Sequence, residues 1–142
     1  MFVAGQAVLL VTLFLLPGGT DFDLPGALRV VAEIAFWAGV ALGVAAALSL
    51  GRSLTATPVP NASGELRTGG LYRFARHPIY TGVILIVVAA AARSGSWWKL
   101  TLGGATIAFF VIKTRWEEQR LLERFDGYDD YAATTGRFFP GW

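Results

Sequence analysis

Long apolar runs alternate with short charged segments along the whole chain. The charged residues gather in four segments, at 21–33, 52–77, 93–99 and 113–137. Several of the runs between them approach the length of a membrane helix, which needs about 20 apolar residues to cross a bilayer. Such a layout is typical of a polytopic membrane protein and not of a soluble core. We therefore predict an all-α, polytopic integral membrane protein with about four transmembrane helices.

The four predicted spans differ in length. The first, Phe2 to Leu16, is slightly short for a hydrocarbon core of about 30 Å. A signal peptide is the alternative, but no basic region precedes this run and no small-residue cleavage site follows it. The second, Ala27 to Leu50, is the longest, and its Gly39-x-x-x-Gly43 pattern favours close helix packing. The third, Ile79 to Ala92, has 14 residues and forms a tight hairpin with the fourth, which ends near Ile112.

These spans form one domain of 142 residues. We divide it into two N-terminal spans, a cytoplasmic loop, the hairpin and a C-terminal segment that covers the site, at 1–50, 51–77, 78–112 and 113–142. The loop carries four arginines against one acid, Glu65. Because basic loops stay in the cytoplasm, we predict a bacterial-type cytoplasmic membrane with both termini and the site on the cytoplasmic side. Arg93 and Lys99 in the hairpin turn weigh against this orientation.

The composition excludes several classes of protein. A net charge of +2 is too small to indicate nucleic-acid binding. The absence of cysteine excludes disulfides, thiol catalysis and thiolate metal sites, and a single histidine does not support a histidine metal site. We therefore expect neither a metal nor a nucleic acid as a partner, and the composition does not indicate the oligomeric state.

The segment from Gly69 to Gly82 concentrates the polar groups that the apolar runs lack. It carries the one histidine, His77, after Arg73 and Arg76 and directly before Pro78. Proline suits the first turn of a helix, because an N–H group at that position would have no partner within the helix. The free N–H groups of a helix start, together with the helix dipole, form a ready anion site. The alternative is that the arginines anchor a membrane helix to headgroups and that the histidine caps it.

A second polar stretch follows the fourth span, where 113–125 keeps a helical pattern past the membrane. Glu118 shares a helix face with Leu121, and a carboxylate on an apolar face needs a cationic partner. Arg115 is the local candidate for that partner, and a positively charged ligand is the other candidate.

Two further acids have local alternatives to a functional role. Glu117 either forms an ordinary surface pair, with Lys113 or Arg120, or belongs to the same site as its neighbour. Glu33 lies four residues after Arg29 near the start of the second span, which predicts an i,i+4 pair at the membrane interface. An acid at the edge of a span can also be functional.

The chain ends in an aromatic segment. Gly127 can end the preceding helix, after which Tyr128 and Tyr131 present two rings three residues apart. The residues at 137–142 are aromatic up to the last. Such a tail anchors a protein at a membrane interface, or it closes over a flat, partly cationic ligand.

The order and spacing of these residues resemble a known family. The pattern Gly-x-Tyr-Arg-x-x-Arg-His-Pro-x-Tyr-x-Gly at 70–82 is followed by Glu117-Glu118 and then by Tyr128, Tyr131, Arg137 and Pro140. Over about 65–142 the chain resembles the isoprenylcysteine carboxyl methyltransferase family, and related phospholipid N-methyltransferases share the pattern. The order at 125–128 departs from it, because the family's pattern has a glycine directly after the phenylalanine and one more residue before the tyrosine.

The resemblance implies a helical membrane enzyme that uses S-adenosylmethionine. The residues that match the motif and would lie near this cofactor are His77, Tyr80, Gly82, Glu117 and Glu118. The ammonium and sulfonium of the donor suit the acids, and its carboxylate suits the arginines. Its adenine suits aromatic rings such as those of Tyr128 and Tyr131.

The acceptor that we expect is a lipophilic acid that enters from the bilayer and leaves as a methyl ester. Such an acceptor needs cations and no base, and Arg73, Arg76 and Arg137 are the candidates, with His77 as a further catalytic residue. Methylation of a phospholipid or another amine is the first alternative, and it requires a base, for which His77 is the candidate at neutral pH. A nicotinamide-dependent membrane reductase and a non-catalytic membrane scaffold are further alternatives.

Overall fold

The computed structural model describes residues 2–50 and 66–141, and every element in these two ranges is helical. The elements are α1 (Phe2–Leu15), α2 (Gly26–Leu50), a 3₁₀ turn (Gly70–Arg73), α3 (Pro78–Arg93), α4 (Trp97–Arg124) and α5 (Tyr128–Thr134). The all-α prediction is confirmed, and the predicted ends of the first three apolar helices lie within one residue of the observed ends. The part of the predicted loop at 51–65 lies outside the described residues.

The helices differ in their capacity to cross a membrane. Within the described ranges, α2 is the one helix that is long and apolar enough by length and composition, with 25 residues and a mean hydropathy of 2.0. α1 and α3 are apolar but shorter, with 14 and 16 residues. α4 has 28 residues, but its C-terminal half is charged. The described residues thus contain one clear span candidate, and the predicted total of about four stays a prediction.

The most extensive helix contact joins α2 to α3, and glycines make it possible. A Cβ atom placed on Gly82 would lie 2.6 Å from the carbonyl oxygen of Gly39 and 2.8 Å from the amide nitrogen of Gly43. The two backbones therefore meet with no room for a side chain between them. This contact confirms the packing role predicted for the Gly39-x-x-x-Gly43 pattern, and it places Gly82 in the helix crossing.

α1 and α4 complete the bundle around α3. The apolar centre consists of Leu13 from α1 with Val87 and Ala91 from α3, each at most 2% exposed. At the far end of α3, the carboxylate of Asp21 caps the start of α4 by accepting the backbone N–H of Trp97 at 2.9 Å. α3 and α4 form the predicted hairpin, and the loop after α1 closes it at that end.

The predicted i,i+4 pair between Arg29 and Glu33 is wrong. The guanidinium of Arg29 bonds instead to the carboxylate of Asp23 and to the carbonyl of Leu24 in the preceding loop. Glu33 pairs with Arg93 at 2.6 Å across the contact between α2 and α3. Because the close helix crossing brings the C-terminal end of α3 beside α2, a tertiary partner replaces the local one.

α5 is an element that the sequence pattern did not predict. α4 ends at Arg124, and the chain then turns through 125–127 into this seven-residue helix. Gly127 adopts a left-handed φ of 83°, which glycine tolerates and most other residues do not. The turn sends the chain back toward the start of α3, so the C-terminal tail reaches the segment that contains His77.

Replacement of Gly82 by alanine tests the helix crossing. The added methyl group would meet backbone atoms of α2, which cannot move aside, so we expect a loss of about 1–3 kcal/mol of stability. Thermal unfolding in detergent, followed by circular dichroism, measures the loss. Gly104→Ala is the matched control, because a Cβ atom there meets nothing within 4 Å. Equal unfolding temperatures for the two variants would show that α2 and α3 do not meet in this way.

Candidate functional site

The start of α3 directs His77 into the protein. His77 is the N-cap residue and Pro78 is the first helical residue, as the motif predicted. The imidazole makes no hydrogen bond to the N–H groups of the helix, so it does not act as the cap. The residue is 8% exposed, and its ring stacks on that of Tyr80 with 5.6 Å between the centroids. The simple capping alternative for His77 is therefore wrong.

Hydrogen bonds hold the C-terminal tail against this segment. The backbone N–H groups of Arg76 and His77 donate to the carbonyls at 136 and 137, at 2.9 and 3.0 Å. The hydroxyl of Thr81 donates to the carbonyl of Phe138 at 2.7 Å. The tail consequently covers the start of α3, and this brings the side chain of Arg137 to His77 and its neighbours.

Glu118 makes the largest set of charged contacts among the described carboxylates. Its Oε1 accepts a hydrogen bond from Nε of Arg76 at 2.9 Å and lies 3.2 Å from Nε2 of His77. Its Oε2 accepts from Nε and Nη2 of Arg137 at 3.0 and 2.5 Å. The predicted need for a cation is confirmed, but the local candidate, Arg115, is exposed and is not the partner. Two guanidiniums distant in sequence supply the charge.

Arg76 links the start of α3 to two later segments. Besides Glu118, its Nη1 donates to the carbonyl of Ala132 at 2.6 Å and to that of Thr135 at 2.8 Å. The side chain is 11% exposed. Nε and Nη1 of this arginine are thus bonded to groups inside the protein.

The cations around Glu118 keep it ionised. Burial would by itself raise the pKa of Glu118, but hydrogen bonds from His77 and Arg137 and the charge of Arg76 lower it to about 2. The hydrogen bond to Glu118 in turn raises the pKa of Arg137. At neutral pH this part of the site is therefore a buried ion-pair network.

Glu117 is also buried, but it faces different partners. Its Oε1 accepts the hydroxyl of Tyr80 at 2.8 Å and lies 3.7 Å from Nζ of Lys113. Its Oε2 lies 3.8 Å from Nδ1 of His77. Glu117 is only 9% exposed, so the predicted pair at the protein surface is wrong. Of the two predicted partners, Lys113 does lie beside Glu117. The other, Arg120, lies over the ring of Trp116.

His77 stands between the two carboxylates. Its Nε2 faces Glu118 and its Nδ1 faces Glu117, so each ring nitrogen has an acidic neighbour. The result is a continuous polar path from Lys113 through Glu117, His77 and Glu118 to Arg137. Such a path can bind cationic and anionic groups side by side.

The two tyrosines of α5 have different surroundings. Tyr131 donates its hydroxyl to the carbonyl of Tyr72. Tyr128 is 2% exposed, and its hydroxyl has no hydrogen-bond partner among the described residues. Burial and, secondly, the charge of Glu118 raise the pKa of Tyr128, so this hydroxyl stays protonated. Because buried polar groups are almost always hydrogen-bonded, the Tyr128 hydroxyl is a candidate contact for a bound molecule.

Two predicted site residues lie apart from this cluster. Arg73 is exposed, and its guanidinium lies 4.5 Å from the centroid of the Phe74 ring. Gly82 is buried in the crossing of α2 and α3.

One contact of the site was not predicted from the sequence pattern: Gln6 accepts a hydrogen bond from Lys113 at 2.6 Å. The sequence feature that could have indicated this contact is Gln6 itself, a polar amide in the otherwise apolar first half of α1.

A cavity of about 300 Å³ lies at the opposite end of α3. It is lined by the loop after α1, by Arg29 and by the turn between α3 and α4, and none of the predicted site residues borders it. The two arginines in its wall are paired with acids, Arg29 with Asp23 and Arg93 with Glu33. The buried charged chemistry is concentrated instead at the His77 end of the helix.

Two comparisons with known proteins bear on this site. A family model described as phospholipid methyltransferase matches residues 28–127, which is more than half of the chain and includes His77 and both carboxylates. NccN, a nickel-cobalt-cadmium resistance protein from Alcaligenes xylosoxydans xylosoxydans, is 34% identical over 82 residues. That similarity covers 55% of this chain and 37% of the relative, so the chain matches well under half of the relative's length.

Replacement of Glu118 by glutamine tests the ion-pair network. The change leaves buried guanidiniums without their counter-ion, so we expect the free energy of unfolding to fall by about 3–5 kcal/mol. Thermal unfolding in detergent at neutral pH measures this loss. Glu123→Gln, at an exposed position of the same helix, is the control and should change stability little.

The same carboxylate predicts how stability responds to acid. Because the pKa of Glu118 falls from 4.5 to about 2 on folding, its stabilising effect is fully present above pH 4.5 and is lost as the pH falls toward 2. The wild type should therefore lose stability over this range more steeply than Glu118→Gln does. Parallel acid profiles for the two proteins would contradict the central place of Glu118 in the network.

Proposed function

The chain belongs to the phospholipid methyltransferase family, and we propose that it uses S-adenosylmethionine to methylate the headgroup of a lipid-like acceptor. The observation that carries the proposal is the buried pair of carboxylates, Glu117 and Glu118, on the two sides of His77. All three residues lie in the stretch that the family model matches.

The residues of the site are compatible with the methyl donor. Its amino-acid end carries an ammonium and a carboxylate, which complement the carboxylate of Glu118 and the guanidinium of Arg137. With 27% of its side chain exposed, Arg137 is the most accessible partner of Glu118, so it is the partner that can shift to admit such a zwitterion. The hydroxyl of Tyr128 supplies a hydrogen bond that no described protein group uses. The rings of Tyr80 and Phe138 lie beside His77 and offer faces to the adenine.

The donor supplies an electrophilic methyl group on a sulfonium, and its transfer is a direct displacement. The protein contributes mainly alignment of the two reactants and exclusion of water. The tail at 135–138, held to the start of α3 by hydrogen bonds, performs both tasks, because it covers the site and carries Arg137.

The contacts favour an amine headgroup over a carboxylate. The expectation of a lipophilic acid rested on cations that would hold the acceptor, but Arg76 and Arg137 are bonded to Glu118. An amine attacks the methyl carbon through its nitrogen, the bond from sulfur to that carbon breaks, and the amine releases a proton. His77 and Glu117, with Nδ1 and Oε2 3.8 Å apart, are the groups placed to accept that proton.

Carboxyl O-methylation is the second candidate, and Arg73 is the observation that favours it. This arginine is exposed on the segment that leads to His77, and it has no acidic partner among the described residues. A lipophilic acid could meet Arg73 at the rim of the site. In that reaction the carboxylate oxygen would attack the methyl group, and no base would be required.

We place the site at the cytoplasmic face of a membrane that the apolar helices cross. Support comes from large apolar side chains that are exposed along α2, Ile34 at 64%, Val44 at 55% and Leu48 at 76%. Trp97 and Trp98 are exposed at the end of the hairpin that lies away from His77, as expected for an aromatic belt at the opposite interface. A lipid acceptor would then reach the site sideways from the bilayer.

Calorimetric titration with S-adenosylhomocysteine tests donor binding on the detergent-purified protein. We expect the wild type to bind it and Tyr128→Phe to bind it more weakly, by about tenfold at most, because one hydrogen bond is lost. Tyr131→Phe is the matched control: it removes a hydroxyl that serves the fold, so it should lower thermal stability more than affinity. A wild-type protein that binds no S-adenosylhomocysteine would overturn the proposed function and favour a scaffold.

The chemical stability of the product identifies the acceptor. When membranes that contain the protein receive methyl-tritiated S-adenosylmethionine, we expect labelled lipid that keeps its label in mild base, because an N-methyl bond resists hydrolysis. His77→Ala should give no labelled lipid and serves as the control. Release of the label as volatile methanol would instead indicate an ester and establish the second candidate.

A further inference from the structure

Lys113 is the most buried cation among the described residues. It is 2% exposed and lies on α4 between α1 and α3. Its ammonium lies 4.8 Å from the centroid of the Tyr80 ring and 5.9 Å from that of Phe110. A buried ammonium requires compensating partners, since desolvation of an isolated charge is very costly.

The partners of Lys113 come from opposite sides. Nζ donates to Oε1 of Gln6 at 2.6 Å on one side and lies 3.7 Å from Oε1 of Glu117 on the other. α1 has only two side chains that can hydrogen-bond, Gln6 and Thr12, and one of them is used here. The contact connects a residue near the N-terminus with the site, 107 positions along the chain.

Glu117 consequently rests against three groups from three parts of the fold. Tyr80 on α3 donates its hydroxyl to it, His77 before α3 faces it, and Lys113 on α4 supplies the nearest full positive charge. The guanidiniums of Arg76 and Arg137 are bonded to Glu118. Lys113 therefore compensates Glu117 in the way that the two arginines compensate its neighbour.

We propose that Lys113, held by Gln6, is a positioning residue for methyl transfer that fixes the carboxylate of Glu117 against Tyr80 and His77. The proposal rests on the proposed function, because it assigns Lys113 to the support of the group that receives the acceptor's proton. The first membrane helix then contributes to the site through one amide, although no residue of α1 touches His77 or either carboxylate in the described contacts.

A Gln6→Glu variant separates positioning from simple attachment of α1. A carboxylate at this place keeps the bond to Lys113, so the attachment and the thermal stability should persist. It also draws the ammonium away from Glu117 and adds a negative charge nearby, which favours the protonated form of a carboxylate. We expect a turnover rate about tenfold lower at neutral pH, because part of the acid–base contribution is lost. In the profile of turnover rate against pH, we expect the fall on the acid side to occur at higher pH. The affinity for S-adenosylhomocysteine should stay within about twofold, because the network at Glu118 is untouched.

The experiment uses the 142-residue chain and measures, across a range of pH, initial rates of label transfer from methyl-tritiated S-adenosylmethionine to total membrane lipid. Lys113→Met should show the same lower rate and the same shift of the acid side of the pH–rate profile. Lys113→Arg keeps the positive charge, so it should retain a large part of the wild-type rate. Thr12→Val removes the other polar side chain of α1 and should leave rate and profile unchanged.

The outcomes distinguish the two proposals. If the wild type transfers no label and binds no S-adenosylhomocysteine, the proposed function fails and this inference fails with it. If the wild type is active and Gln6→Glu keeps its rate and pH profile, Lys113 serves only to attach α1 and the inference is overturned. Should Lys113→Met not fold, Gln6→Glu and Lys113→Arg still decide between these results.

Discussion

The site depends on the burial of one charge, the carboxylate of Glu118. A carboxylate at 7% exposure is tolerable only if cations and hydrogen bonds replace the water it has lost. The replacements come from Arg76, 42 residues earlier, and from Arg137, 19 residues later. The start of α3 carries one of these arginines and the C-terminal tail carries the other, so neither segment alone could supply both partners of Glu118. The pairing therefore requires three separate segments of the chain to meet, and their meeting forms the site.

Two adjacent acids on one helix acquire different environments because they point to different neighbours. Glu118 faces guanidiniums that bind it through several short hydrogen bonds, whereas Glu117 faces a phenol and a single ammonium at longer range. His77 lies between them and contacts both. Such an arrangement separates an anion held by two guanidiniums from one with a single, more distant cation, and the second is the one that we propose as a proton acceptor.

The sequence predicts the local features of this protein well and the distant contacts poorly. Helix ends could be predicted because proline, glycine and charged residues interrupt the apolar runs at the same places where the helices end. The need of Glu118 for a cation followed from its helix face. Its actual partners could not be deduced, since helical periodicity relates only residues three or four apart. For the same reason helical periodicity predicts Arg29, and not Arg93, as the partner of Glu33. It does not predict α5, because seven residues carry little periodicity.

The position of the candidate site along α4 agrees with the lipid-like acceptor that we propose. The apolar half of this helix ends at about Ile112, and the buried charged residues begin at the next position with Lys113. In a membrane the boundary between these halves corresponds to the level of the headgroups, where polar side chains first find water or charged partners. A molecule whose reactive group reaches Glu117 and His77 would keep its hydrocarbon beside the apolar half. A water-soluble acceptor would make no use of that arrangement, whereas the lipid headgroup that we propose would fit it without leaving the bilayer.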